Sequence, residues 1–417
     1  MRKYFSKALT IAMIAIIFLL QACVKDKLTK TYTYFEPVYQ NKAEVLNAVK
    51  SSPAQALQAT GKLVMYGNYI FLNEINKGIH VIDNSNPADP KNISFINIPG
   101  NQDIAIKNNS LYADIFTDVL TIDITDLDHA VLKKVISGIF IDRILTNGTY
   151  DSTKYITSWT QHTTNSEEEF KRLTDKSQSL AFATAQPASA NLTGTGGSMA
   201  RFAIVNNYLY TVGRNNLTSF NITNTMDPVK EFNQILGTNI ETIYPFNGQL
   251  FIGAQTGMLV YNLNNPARPA FQENFSHACF NDPVIADAHY AYVTLRARTE
   301  VSGCWGVPLV QRNELDIVDV NNLHQAFLQK VYPMTEPKGL SKDGDFLFIC
   351  DGSAGLKIYN AANVNNLQLI KEFTGLNTFD VIAQTGNAIV VAENGLYQYN
   401  YSDINNIKLV SKINISR

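Results

Sequence analysis

A seven-fold repeat limits what this chain can fold into more than any other feature. "GIHVIDNSNPADP" at 78 to 90 and "GMLVYNLNNPARP" at 257 to 269 share a leading Gly, an apolar run, an Asp or Asn five residues after the Gly, then Asn-Pro and a second Pro. Taking the residue that closes the apolar run as an anchor gives Asp83, Asp123, Asn221, Asn262, Asp319, Asn360 and Asn400, at spacings of 40, 98, 41, 57, 41 and 40 residues. The two long spacings are one period plus insertions of about 58 and about 16 residues. Gly78, Gly257, Gly355 and Gly395 stand five residues before their anchors, and Asp118, Asn216 and Glu314 take that place in the other three units. Self-similarity at such a period belongs to units that cannot bury both faces alone and stack on copies of themselves.

Each unit reads the same way. An apolar stretch such as "DIAIKNN" or "RFAIVNN" ends in a turn pair; a second, such as "SLYAD" or "YLYTV", follows; then come the Gly, the anchor run, a turn rich in Asn and Pro, and a last run such as "NISFINI". Asn and Gly between short apolar runs signal tight hairpins because they reach positive φ cheaply. Asp or Asn at the anchor caps a turn through its side chain, and Pro fixes φ where no ladder donor is wanted. No 3.6-residue apolar period runs through the units, which excludes a helical solenoid, and a parallel β-helix needs much shorter rungs. The composition agrees, with 20 Tyr, 22 Phe and only 17% charged residues. The expected fold is all-β, a seven-bladed β-propeller of four-stranded antiparallel blades over 61–417. A large insertion at about 141–198 is expected to project from one face, with "NSEEEFKRLTDK" helical and "SANLTGTGGS" a loop.

The first residues follow another grammar. Arg2, Lys3 and Lys7 precede the apolar run "ALTIAMIAIIFLL" and the ending "LLQAC". A basic start followed by a short apolar run is an export signal, too short and wrongly flanked for a membrane span. Leu20-Gln21-Ala22-Cys23 resembles the lipobox of bacterial lipoproteins, which implies removal of 1–22 and acylation of Cys23. By the same resemblance, Val24 in place of Asp implies an outer-membrane address, on the periplasmic face or the cell surface. Residues 23–60 then form a tether to the lipid or lend a strand to ring closure. The formal charge of -2 becomes about -5 without the three basic residues, so no field recruits nucleic acid. In an oxidising compartment three cysteines remain, Cys279, Cys304 and Cys350. Cys279 and Cys304 lie in one repeat and form the expected disulfide, with free buried thiols as the alternative; Cys350 sits inside the apolar run "FLFIC".

The repeat, with its apolar strand ending in Asp, resembles the LVIVD repeat. "GIHVIDNSNPADP", "INIPGNQDIAIKNNSLYADIFTDVLTIDI", "DPVIADAHYAYVTLRARTEVSGCWG" and "LFICDGSAGLKIYNAAN" are similar to LVIVD-repeat lipoproteins of Bacteroidetes-type bacteria. The resemblance spans about 61 to 400 and is weak from 141 to 198. It implies a propeller and an envelope location, and brings no established reaction.

Catalytic signals are sparse. "TGTGGS" at 193 to 198 lacks the Lys-Ser/Thr of a phosphate loop, no G-x-S-x-G elbow occurs, and the six His show no metal-binding spacing. No cofactor or metal is expected. Position carries more weight: inner strands line the axis of a propeller, and recessed sites are where ligands bind. Equivalent offsets place Lys62, Asp103, Arg201, Glu241, Asp282, Lys338 and Asp380 at the start of the seven inner strands, and "TLRAR" adds Arg296 and Arg298. This ring of four acids and three bases, with Arg296, is expected to surround a channel mouth and contact a polar ligand; charges that merely pair with one another are the competing reading. The expected function is a non-enzymatic envelope scaffold binding a protein or glycan. The alternative is a hydrolase or lyase using the mixed ring as acid and base.

Overall fold

A computed structural model describes residues 31–143, 150–176, 198–237, 239–255, 257–276, 283–297 and 312–415. Seven antiparallel sheets, each contiguous in sequence, form the blades of a β-propeller. Blade 1 runs from Thr60–Tyr66 to Lys91–Asn97 and blade 7 from Thr378–Gln384 to Lys408–Asn414, each with strand order following the chain from the axis outward.

The anchors do what their chemistry dictates. The side-chain oxygen of every one accepts the backbone N–H two residues on, at 2.9–3.3 Å. A second Asp or Asn three residues after each anchor repeats the device, from Asn86 to Asp403. These paired turns fix the link between third and outer strands. The outer strand of every blade then carries a register shift against the third strand, an added twist of the kind bulges give to edges. Glycine at the start of the third strand is a matter of space. At Gly355, with φ +94°, a Cβ would lie 2.0 Å from the Phe373 carbonyl oxygen, and at Gly78 it would lie 2.1 Å from that of Ile96.

The core lies between blades, built from side chains that alternate along the inner strands of each sheet. Blade 7 closes on blade 1 through Leu57, Leu63, Ile70, Phe379, Ile389 and Val391, and Gln398 Nε2 donates to Asn84 Oδ1 at 2.7 Å. No strand is exchanged between first and last blades among the described residues. The described part of the N-terminal segment lends no strand to ring closure. Lys50–Pro53 adds a fifth strand to the outer edge of blade 1, and Tyr32–Asn41 pairs with Lys154–Thr164 of the insertion in a two-stranded ribbon. The insertion's helix, Glu167–Lys176, packs on that ribbon through stacked Tyr32 and Phe170, 4.9 Å between centroids.

Candidate functional site

The start of each inner strand and the hairpin between second and third strands share one face of the ring, here the upper face. The lower face carries the hairpins between first and second strands and the anchor turns. The inner strands of blades 1, 4 and 7 have register irregularities where their charged residues sit, between Thr60 and Leu63, Ile240 and Thr242, and Thr378 and Asp380.

Described members of the expected ring lie together, but they do not surround an open mouth. Lys62, Asp103, Lys338 and Asp380 are all at most 5% exposed. Lys62 Nζ pairs with Asp103 Oδ2, which also accepts the Arg201 backbone N–H at 2.5 Å, while Asp103 Oδ1 accepts Ile104 N at 2.7 Å. Arg201, half-buried, passes the chain of contacts to blade 4 by donating from Nε to the Glu241 carbonyl at 3.2 Å. Lys338 Nζ lies 3.2 Å from Glu336 Oε1 and 4.5 Å above the Phe379 ring. Arg296 is half-buried and close enough to disfavour charge on Lys338. Asp380 Oδ1 accepts Val381 N at 2.8 Å and its Oδ2 is buried without a partner. Asp282, Arg298, Cys23, Cys279 and Cys304 lie outside the described residues; Cys350 is a buried free thiol.

Burial dominates the protonation of these groups. It pulls the Lys62 ammonium well below the usual lysine range, with Arg201 and Arg143 adding to the effect and Asp114 and Asp380 opposing it. Burial likewise pushes the Asp380 carboxyl well above the usual carboxylate range, against the Val381 N–H and Lys62.

Residues outside the expected set complete and close this end. Asp114 accepts Gln102 N, Asp103 N and Asn101 Nδ2 at 2.7–2.8 Å and pairs with Arg143. Ser198, fully buried where the insertion returns to blade 3, accepts Leu340 N of blade 6 on Oγ at 2.9 Å. Ala200 accepts Ile243 N of blade 4 at 2.7 Å. Ser198 to Ala200 therefore link blade 6 to blade 4 next to the charged ring, and Ala200 lines the cavity below it. Beside them Asp118, fully buried, holds the insertion down: it accepts Tyr155 OH at 2.7 Å and Gly138 N at 2.9 Å and pairs with Lys42. One signal for this was in the repeat itself, because Asp118 stands where four other units have Gly.

Below the ring the axis opens into a cavity of about 300 Å³. Lys62 and Asp103 form its closed end, and part-exposed Val64, Ile106, Ile204 and Ile382 its wall toward the lower face, with Gln384 exposed at the rim. A second cavity of about 300 Å³ lies on the lower face between blades 4 and 5. Among the described residues no group of three or more His, Cys, Asp or Glu is placed to hold a metal ion, and no helix is long and apolar enough to cross a membrane.

No family model matches the chain, and no curated protein matches it. Solved structures match its shape. The chain is similar to the computationally designed Ika8 protein, at 8% identity and TM-score 0.52, over 86% of this chain and 88% of that one. A protein from Lactobacillus plantarum matches at 9% identity and TM-score 0.51, over 88% and 98%. The Pan2 WD40 domain of Neurospora crassa matches at 8% identity and TM-score 0.50, over 92% and 98%. Likeness at such identities speaks for the fold alone; the chain is a seven-bladed β-propeller, an architecture consistent with a binding or interaction scaffold.

Proposed function

We propose that this protein is an outer-membrane lipoprotein, anchored through Cys23, whose propeller is a non-enzymatic scaffold meeting an envelope protein or glycan on its lower face. One observation carries the choice of face. At the upper end Lys62 and Asp103 are buried and spent on one another, with Ser198 and Ala200 linking blades 6 and 4 beside them, whereas both cavities border the lower face. Recessed sites with apolar walls and a few placed polar groups are where ligands bind. The export signal ending in "LLQAC" and the resemblance to LVIVD-repeat lipoproteins support the address. The test is recovery of partners from envelope extract by the mature lipidated protein, compared with Ile106→Arg/Ile204→Arg in the axial cavity and with deletion of 150–176. Loss in the first variant at an unchanged melting temperature supports the reading. Loss only on deletion moves the site to the insertion.

A further inference from the structure

The carbonyl four residues after an anchor is a recurring docking point between blades. Tyr112 of blade 2 donates its hydroxyl to Thr225 O of blade 3 at 2.8 Å, and Tyr210 of blade 3 donates to Pro266 O of blade 4 at 2.8 Å. Tyr332 of blade 5 reaches Val364 O of blade 6 at 2.7 Å, and Ser51 and Ser94 reach Leu127 O of blade 2 from blade 1. Between blades 4 and 5, as between 6 and 7 and between 7 and 1, no side chain of the described residues reaches that carbonyl. The residue of blade 4 equivalent to Tyr112 and Tyr210 is Phe251, which has no hydroxyl, and Leu323 O of blade 5 accepts only within its own short 3-10 turn.

The second cavity lies at this gap, with Phe251 among its lining residues. Around it stand Phe246, Gln249, Gln272, Asn322 and His324. Gln272 is the extra residue of the bulge on blade 4's outer strand, and its Oε1 is buried with no hydrogen-bond partner. A buried acceptor left unpaired is costly and is satisfied by whatever fills the space. The carboxylate at the site, Asp287, is already engaged by Lys342 at 2.9 Å, by Tyr292 OH and by two backbone N–H groups. The groove therefore offers amide and imidazole groups and an aromatic wall with its carboxylate neutralised, at the small end of ligand-site volumes. That chemistry matches hydroxyls and an apolar ring face together, and its carboxylate is not free for a cationic ligand.

From the missing tyrosine hydroxyl and the unpaired Gln272 acceptor we infer that the groove between blades 4 and 5 is a binding site for a neutral saccharide unit. The inference names a ligand class for the binding reading and rests on it only for the lower face being free; it does not involve the axial cavity.

Phe251→Tyr tests it, because the new hydroxyl is placed to donate to Leu323 O as Tyr112 and Tyr210 do to the turns of blades 3 and 4. The mature protein is titrated with cellobiose, maltose, lactose and N,N′-diacetylchitobiose, followed by saturation-transfer NMR. At least one is expected to bind, and both Phe251→Tyr and Gln272→Ala are expected to weaken it tenfold or more, with no fall in melting temperature for the tyrosine variant. Ile106→Arg/Ile204→Arg is expected to leave saccharide binding unchanged, so that failure of the axial site and failure of this one are told apart. Binding of none of the four sugars, or equal binding by wild type and both groove variants, overturns the inference.

Discussion

Restoring the repeat's own glycine at position 118 is expected to harm the protein. Asp118 is fully buried and accepts Tyr155 OH at 2.7 Å, Gly138 N at 2.9 Å and Thr117 Oγ1 at 3.1 Å while pairing with Lys42. Each hydrogen bond to a charged acceptor is worth about 1.5–3 kcal/mol, but bonds sharing one carboxylate do not add. Removing one partner of a buried ion pair costs about 3–5 kcal/mol. Lys42 keeps 13% side-chain exposure and recovers some hydration, whereas Tyr155 is 2% exposed and recovers little. The lower end, about 3 kcal/mol, is the figure for Asp118→Gly. If that loss falls on docking of the ribbon, amide exchange in 32–41 and 154–164 speeds up by about a hundred-fold, since 1.4 kcal/mol is tenfold. Hydrogen exchange read by mass spectrometry measures it segment by segment. Ribbon exchange within about threefold of wild type, or a protein made more stable by the consensus glycine, refutes the reasoning.

Four further outcomes are expected. Gly355→Ala is expected to cost roughly 2–4 kcal/mol, because the added Cβ meets Phe373 O at positive φ, whereas Gly67→Ala, with positive φ but open space, costs about 1 kcal/mol; denaturation midpoints compare them. Asp380→Asn is expected to raise the melting temperature at neutral pH. The folded-state pKa of Asp380 is raised, so the wild type loses stability as pH climbs from the ordinary carboxylate value toward the folded one; the advantage of Asn grows over that window and vanishes below about pH 4, which melting curves across pH will show. Cys23→Ser is expected to abolish fatty-acid labelling and membrane partition, read by metabolic labelling and fractionation. Non-reducing peptide mapping is expected to recover Cys279 joined to Cys304 and Cys350 unreactive until unfolding; both cysteines found free would remove the bridge.

The anchor spacing contained the fold, because each Asp or Asn closes a turn with its own side chain and so marks a strand end without reference to the rest of the molecule. The glycines were equally readable, since the outer-strand carbonyl approaches too closely for a Cβ. The fifth strand of blade 1 was not: Lys50–Pro53 reads "KSSP", polar and without alternation, and it is placed by Ser51 and by the edge it covers rather than by propensity. That Lys62, Asp103 and Arg201 meet was legible in their equal offsets, but the burial at this end goes with local register irregularities and with Ser198 reaching blade 6, a contact between residues 142 apart. The gap at Phe251 was visible once Tyr112 and Tyr210 are aligned with it; its meaning needed the neighbouring turn carbonyls.

Site-specific photocrosslinking in the intact cell envelope tests most directly whether the lower face is the binding face. A photoreactive residue replaces Gln384, exposed at the lower rim of the axial cavity, or Gln102, exposed on the upper face. Adducts from position 384 and none from 102 are the expected result; adducts from 102 alone would contradict it and return the binding surface to the end that carries the charged ring.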